Sequence, residues 1–202
     1  MEGLTIWITG LSGAGKSTLG RELTRLLIER GLNVELLDGD DIRTNLSKGL
    51  GFSKKDRDIN VRRIGYVCNL LSRNEVVAIA AAISPYREAR REVRAMIDRF
   101  VEIYVECPIE VLKERDPKGL YERALRGEIP NFTGISDPYE PPEHAEIVCD
   151  TDTESEEESV AKVVRSLELM RYIPTEDGKA ALSPEKEMAV QERLEKLGYS
   201  KG

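Results

Sequence analysis

Apolar and polar positions along the chain fall into two alternating rhythms. Short apolar runs predict strands over residues 4–9 (Leu4-Thr5-Ile6-Trp7-Ile8-Thr9), 33–37, 76–83, 101–106 and 146–149. Between them, apolar residues recur at helical spacing. The first such stretch, 16–29, puts Leu19, Leu23, Leu26 and Leu27 on one face and ends at Gly31 as C-cap. Further helices are predicted over about 55–73, from Pro85 to about 98, and over about 156–172. The run 76–83 is nearly all apolar, as a central parallel strand covered on both faces requires. The alternation predicts an α/β domain: a five-stranded parallel sheet with helices on both faces.

Two stretches break the rhythm. Residues 115–143 are rich in Gly and Pro with one short helix, which predicts a mobile lid segment rather than core. Residues 174–202 follow a Pro-Thr-Glu-Asp-Gly linker and contain Ser183-Pro184-Glu185, a helix start, with Leu194 and Leu197 as its apolar stripe. This divides the chain into a domain over 1–173 and a C-terminal helical tail over 174–202. The tail has three open fates: packing on the domain, packing on a second subunit, or staying loose. The acidic run Glu154–Glu158 reads as the first turn of a helix, where carboxylates face the positive end of the dipole.

Residues 10–18 read GLSGAGKST directly after the first strand. This is G-x-x-x-x-G-K-[ST], a phosphate-binding loop in its expected context, and it predicts the P-loop NTPase fold. Gly10, Leu11, Ser12, Gly13, Ala14 and Gly15 offer backbone N–H groups that can curl around an anion. The helix that begins at Lys16 points its positive end at the same place. Lys16 is expected on the β/γ oxygens of ATP, Ser17 on Mg²⁺, and Thr18 in the first turn beside them. The motif leaves the phosphoryl acceptor open.

Composition narrows the choices. The chain has 202 residues, 40% hydrophobic and 33% charged, with a net charge of −7. That balance argues against nucleic acid as a partner. No apolar run approaches the ~20 residues of a membrane span. The Met-Glu-Gly start runs straight into a strand, which predicts no secretory leader and a cytoplasmic protein. Cys68, Cys107 and Cys149 fit neither a zinc spacing nor a disulfide framework and read as buried thiols. His144, the single histidine, sits in a Pro-rich loop and receives no role.

Ligands of open α/β sheets bind at the carboxyl ends of the strands. The second strand ends in Asp38-Gly39-Asp40, and the third strand, which lacks a Walker B aspartate, ends in Ile83-Ser84. Asp38 and Asp40 are therefore the candidates for metal and base duties. One can face Mg²⁺ through water while the other takes a proton from an attacking hydroxyl. Asp41 reads either as part of this cluster or as a cap for the next helix. Arg43, Arg57, Arg62 and Arg63 follow, with Asn60 among them, and suggest a second anionic substrate. On the residues alone, a kinase of another small anionic acceptor and a non-catalytic nucleotide-binding regulator remain open.

Longer motifs resemble one family. GLSGAGKST at 10–18, DGDDIR at 38–43, LGFSKKDRDINVRR at 50–63, ISPYR at 83–87 and RDPKGLYERALRGEIPNFTGISDPYEPP at 115–142 are similar, in order and spacing, to the adenylyl-sulfate kinases. These enzymes phosphorylate the 3′-hydroxyl of adenosine 5′-phosphosulfate (APS). The resemblance covers about residues 3–172. It implies that Asp40, Arg43, Arg57 and Asn60 bind the acceptor, and that Phe52 and Phe132 sandwich its adenine. It further implies that Ile83 and Ser84 line the acceptor pocket and that Lys118 is the lid lysine near the transferred group. The family pattern marks Ser84 as a phosphoserine intermediate, although direct in-line transfer needs none. A homodimer and a functional link to an ATP sulfurylase are implied as well. Arg115 and the loop after Cys149 are placed at the ATP adenine by position.

Overall fold

The computed structural model of the chain describes residues 2–175 and 183–199. Residues 176–178 of the predicted linker lie outside the described residues. The elements run β1 (Leu4–Thr9), α1 (Lys16–Glu29), β2 (Val34–Asp38), α2 (Gly39–Thr44), α3 (Lys54–Ser72), β3 (Val77–Ala81), α4 (Arg87–Ala95), β4 (Phe100–Glu106), α5 (Ile109–Arg115), α6 (Leu120–Leu125), β5 (Ile147–Asp150), α7 (Glu156–Leu169) and α8 (Pro184–Lys196).

The sheet is parallel with strand order β2-β3-β1-β4-β5. Chain direction around the sheet therefore reverses at β1, and the crevice at its carboxyl end is where an open α/β sheet binds ligand. Alternation along β1 separates two cores. Leu4, Ile6 and Ile8 face the layer of α1 and α7, with Leu23, Leu27, Val163 and Leu167 against them. Trp7 faces the opposite layer of α3 and α4, with Ile64, Cys68, Ala89 and Val93. All three cysteines are buried free thiols.

Local chemistry explains most helix starts. Ser53 caps α3 through Asp56 N, and Ser155 closes a capping box with Glu158 at the start of α7, in the acidic run. Differences from the sequence expectation have physical causes. Asp41 does not cap; Asp38 does, accepting Asp40 N–H, so the carboxylate pair itself opens the short helix α2. Pro108 ends β4 but also starts α5, a helix hidden by its single buried side chain, Leu112. α4 stops at Ala95, short of the expected 98.

The segment 115–143 is less loose than its composition suggests. Tyr121, Ala124 and Phe132 join the core beside α1. Tyr121 meets Phe132 edge-on at 5.1 Å between ring centroids, and its hydroxyl donates to the Ser12 carbonyl of the phosphate loop at 2.8 Å. Gly and Pro here mark tight turns between anchoring aromatics. Of the tail's open fates, the structure shows packing on the domain. α8 lies on α7, with Val190 and Leu194 buried. Arg193 donates to the Ala145 and Glu146 carbonyls, and Arg165 pairs with Glu187 at 2.7 Å.

Candidate active site

The loop 10–15 carries the backbone strain that its glycines predict. Gly10 has φ 153°, and a Cβ there would lie 2.4 Å from the Val105 carbonyl oxygen. Gly15 has φ 102° and directly precedes α1. Any other residue at either position would push the loop off its neighbours or out of its left-handed turn. Leu11 packs against the core, Ala14 is buried, and Ser12, Ser17 and Thr18 are half-buried at the loop and the first turn of α1.

Lys16 is buried at 8% exposure, and its ammonium donates to the Leu11 carbonyl at 2.6 Å. Burial pulls its pKa down to about 8, opposed chiefly by the Asp38 carboxylate and more weakly by Asp40. Asp38 thus dominates over Asp40 in the field at Lys16. Its Oδ1 accepts Asp40 N–H at 3.1 Å in the cap of α2. Asp40 faces outward, and Lys118, from the turn between α5 and α6, pairs with it at 2.8 Å. Both partners are exposed, so the pair holds with about 0–1 kcal/mol and is easily parted.

Further along, Arg43 lies over the Phe52 ring at 4.3 Å and donates to the Gly51 carbonyl at 3.3 Å. Burial lowers the Arg43 pKa, and the nearby Arg57 charge adds to this. Arg57, expected at the acceptor, is tied to two loops. It is buried and spends two donors on backbone, Phe52 O at 2.9 Å and Asn131 O at 2.5 Å. Asn60, one turn on, is buried with its Oδ1 unpartnered, an acceptor still to be satisfied. Phe52 is 51% exposed whereas Phe132 is 9% exposed and belongs to the core.

Ser84 has φ 40° and is buried. Its hydroxyl accepts from Trp7 Nε1 at 3.0 Å and donates to Thr9 Oγ1 at 3.0 Å. Thr9 in turn donates to the Ile83 carbonyl at 2.7 Å and meets the Tyr139 hydroxyl at 3.0 Å. Among the described residues the hydrogen-bond partners of its hydroxyl are Trp7, Thr9 and the Ala82 carbonyl, none of them a base. Arg115 is exposed, with its guanidinium on the Thr151 carbonyl at 2.9 Å, while Thr151 Oγ1 donates to Ala14 O at 3.0 Å. The position after β5 and the phosphate loop are thereby joined.

For a divalent cation, Ser17 and Asp38 supply hard oxygen donors. Among the described residues no group of three or more His, Cys, Asp or Glu could hold a metal alone. That donor set fits Mg²⁺ that arrives on nucleotide phosphates and keeps several waters.

The sequence did not single out Thr9, Tyr86, Tyr121, Tyr139 or Asp137, while Thr151 lies in the loop after Cys149 that it placed at the ATP adenine. Thr9 carried a signal, a polar residue at the carboxyl end of an otherwise apolar strand. The tyrosines and Asp137 lie inside the quoted motifs, which gave them no individual role.

Comparisons with known proteins agree with this geometry. A sequence model of the family described as adenylylsulphate kinase matches residues 2–150. The chain is 59% identical over 171 residues to an adenylyl-sulfate kinase of Microcystis aeruginosa, spanning 85% of this chain and 94% of that one. It is 57% identical over 183 residues to a probable bifunctional SAT/APS kinase 2 of Sorangium cellulosum, spanning 91% of this chain but 32% of that longer protein. The solved APS kinase CysC of Mycobacterium tuberculosis, in complex with AMPPNP and APS, superimposes with a TM-score of 0.79 at 39% identity, over 83% of this chain and 98% of that one. With its phosphate loop, paired carboxylates and long 115–142 motif in one crevice, the chain belongs to the adenylyl-sulfate kinase family.

Proposed function

We propose that the protein transfers the γ-phosphoryl group of ATP to the 3′-hydroxyl of APS, giving 3′-phosphoadenosine 5′-phosphosulfate and ADP. The observation that carries this reading is the convergence of Lys16, Asp38, Asp40 and Lys118 on one crevice, with Arg43 and Phe52 stacked along the same acceptor side. ATP lies on residues 10–18, its phosphates on backbone N–H groups and Lys16. Mg²⁺ would be held by Ser17 with Asp38 facing it through water, and supplies neutralisation of phosphate charge when bound. Asp38, at the carboxyl end of β2 and fixed by its cap hydrogen bond to Asp40 N–H, takes the proton of the attacking hydroxyl. Asp40 binds the acceptor and exchanges its Lys118 partner as the turn at 116–119 closes. Lys16 and Lys118 stabilise the charge spread over the transferring group.

Arg43 holds the acceptor's anionic end, and Phe52 with Phe132 flank its adenine, a stack worth about 1–3 kcal/mol. Arg115 and Thr151 border the ATP base. Transfer is direct. Ser84→Ala therefore keeps turnover within about tenfold of the wild type. It also lowers the melting temperature, because Trp7 Nε1 is left buried and unpaired. Complete loss of turnover in a folded variant that still binds both substrates would instead favour the phosphoserine route. Arg43→Ala raises the KM for APS about 10- to 100-fold, the loss of a charge-assisted contact, and leaves that for ATP nearly unchanged. An equal rise in both would make Arg43 a structural residue.

No described helix is long and apolar enough to cross a membrane. A cytoplasmic homodimer supplied by an ATP sulfurylase completes the proposal. The 57% identity to a protein named as a bifunctional SAT/APS kinase supports the sulfurylase link. The deciding test is ADP release by the purified protein with Mg²⁺, with and without APS, the products resolved by anion exchange. APS-dependent ADP with an equal amount of a new 3′-phosphorylated species is expected. ADP release indifferent to APS would overturn the assignment.

A further inference from the structure

We propose that Tyr86 and Asp137 are positioning residues that set the spacing of the acceptor pocket by holding Arg57 between the two loops that carry its aromatic walls. The proposal rests on the reading of this pocket as the APS site.

The geometry is a relay of five groups. The Tyr86 hydroxyl, at the start of α4, donates to Asp137 Oδ2 at 2.6 Å. The same carboxylate oxygen lies 3.6 Å from Arg57 Nε. Arg57 Nε donates to the carbonyl of Phe52, and a terminal nitrogen donates to the carbonyl of Asn131, the residue before Phe132. Asp137 also fixes the second wall through its backbone. Gly134 N–H donates to Asp137 O at 2.7 Å, and Asp137 N–H donates to Phe132 O at 3.1 Å, closing the 132–137 turn.

Three chain segments distant in sequence thus meet at one guanidinium that is 6% exposed. Burial lowers the Arg57 pKa, and Asp137 is the leading group that opposes this. Among the described residues, Asp137 is the carboxylate within ion-pair reach of Arg57. A base stacked between two rings needs carbon contacts near 3.5–4 Å on each side, and a gap of 0.5–1 Å already forfeits a quarter to a half of each contact. Phe52 is exposed and has no core of its own to hold it. The distance between the walls is therefore set by the Arg57 staple, and the staple's orientation by Asp137 and Tyr86.

Steady-state kinetics on Tyr86→Phe and Asp137→Asn, with calorimetric titration of APS, test this. Tyr86→Phe removes one hydroxyl and is expected to raise the KM and Kd for APS about fivefold. Asp137→Asn leaves Arg57 buried without a counterion and is expected to raise them tenfold or more. The KM for ATP stays within twofold in both. Val163→Ala, in the core beside α7, serves as the structural reference. It lowers the melting temperature and moves neither KM. Wild-type APS affinity in both variants, or equal rises for APS and ATP, would overturn the proposal. If Asp137→Asn does not fold, Tyr86→Phe decides alone. A wild-type protein that neither binds nor turns over APS would overturn the functional reading, and the positioning role with it. A wild-type protein that turns over APS beside an unaffected Tyr86→Phe would overturn the positioning role alone.

Discussion

Replacing Lys16 by alanine is expected to cut APS-dependent ADP release by about 10³-fold or more without unfolding the protein. The size follows from the site. One preorganised donor on developing charge is worth about 10²–10³ in rate, and a full cation on a transferring phosphoryl group up to 10³–10⁵. The intact fold follows from the pKa. The folded state holds Lys16 at about 8 against an ordinary 10.5, so the protonated side chain opposes folding below pH 8. That opposition fades as pH rises from 8 towards 10.5. Lys16→Ala removes it, and the melting temperature at pH 7 should be equal to or above the wild-type value. The same shift predicts how nucleotide binding depends on pH. The ammonium form is the one that binds triphosphate. The affinity of the wild type for a non-hydrolysable ATP analogue should stay level up to about pH 8 and weaken above it. Lys16→Met should show no such bend. Near-normal turnover in Lys16→Ala would remove the phosphate-loop assignment, and a flat wild-type profile would remove the pKa argument.

The sheet was legible in the sequence because a parallel strand covered on both faces has few alternatives to an apolar run. β1 and α1 match their expected spans residue for residue. The phosphate loop was legible because its glycines answer to a backbone requirement, as the 2.4 Å approach of a Gly10 Cβ to Val105 O makes plain. α5 was not, because a short helix with one buried residue leaves no periodicity to find. The segment 115–143 was half legible. Gly and Pro report its turns, but not that Tyr121 and Phe132 anchor it on the core. Arg57 shows the same limit at the site. Its presence and register were readable, but two carbonyl partners from separate loops were not, since such contacts exist only once the chain is folded. The tail divides likewise. Ser183-Pro184 announced α8, while its seat on α7 depends on Arg165, Glu158 and the Glu146 region, which lie far away in sequence.

The division of labour proposed for Asp38 and Asp40 leads to the second large effect. Asp38→Asn is expected to lower kcat by about 10²–10⁴-fold, the usual contribution of a positioned base, with little change in melting temperature. Stability should hold because Asn caps a helix about as well as Asp, and the side-chain oxygen that accepts Asp40 N–H is retained. What the amide loses is the ability to take a proton and the negative charge that Lys16 feels most strongly among its neighbours. Asp40→Asn differs in kind. It weakens an exposed pair with Lys118 and a contact to the acceptor, so its effect should fall mainly on the KM for APS, with a smaller loss in kcat. The two variants are compared by rapid quench under single-turnover conditions, which separates phosphoryl transfer from product release. A larger loss of transfer rate in Asp40→Asn than in Asp38→Asn would exchange the two roles. Equal and modest losses in both would mean that neither carboxylate takes the proton. Transfer would then depend on alignment and charge stabilisation alone, which a loose phosphoryl-transfer transition state permits.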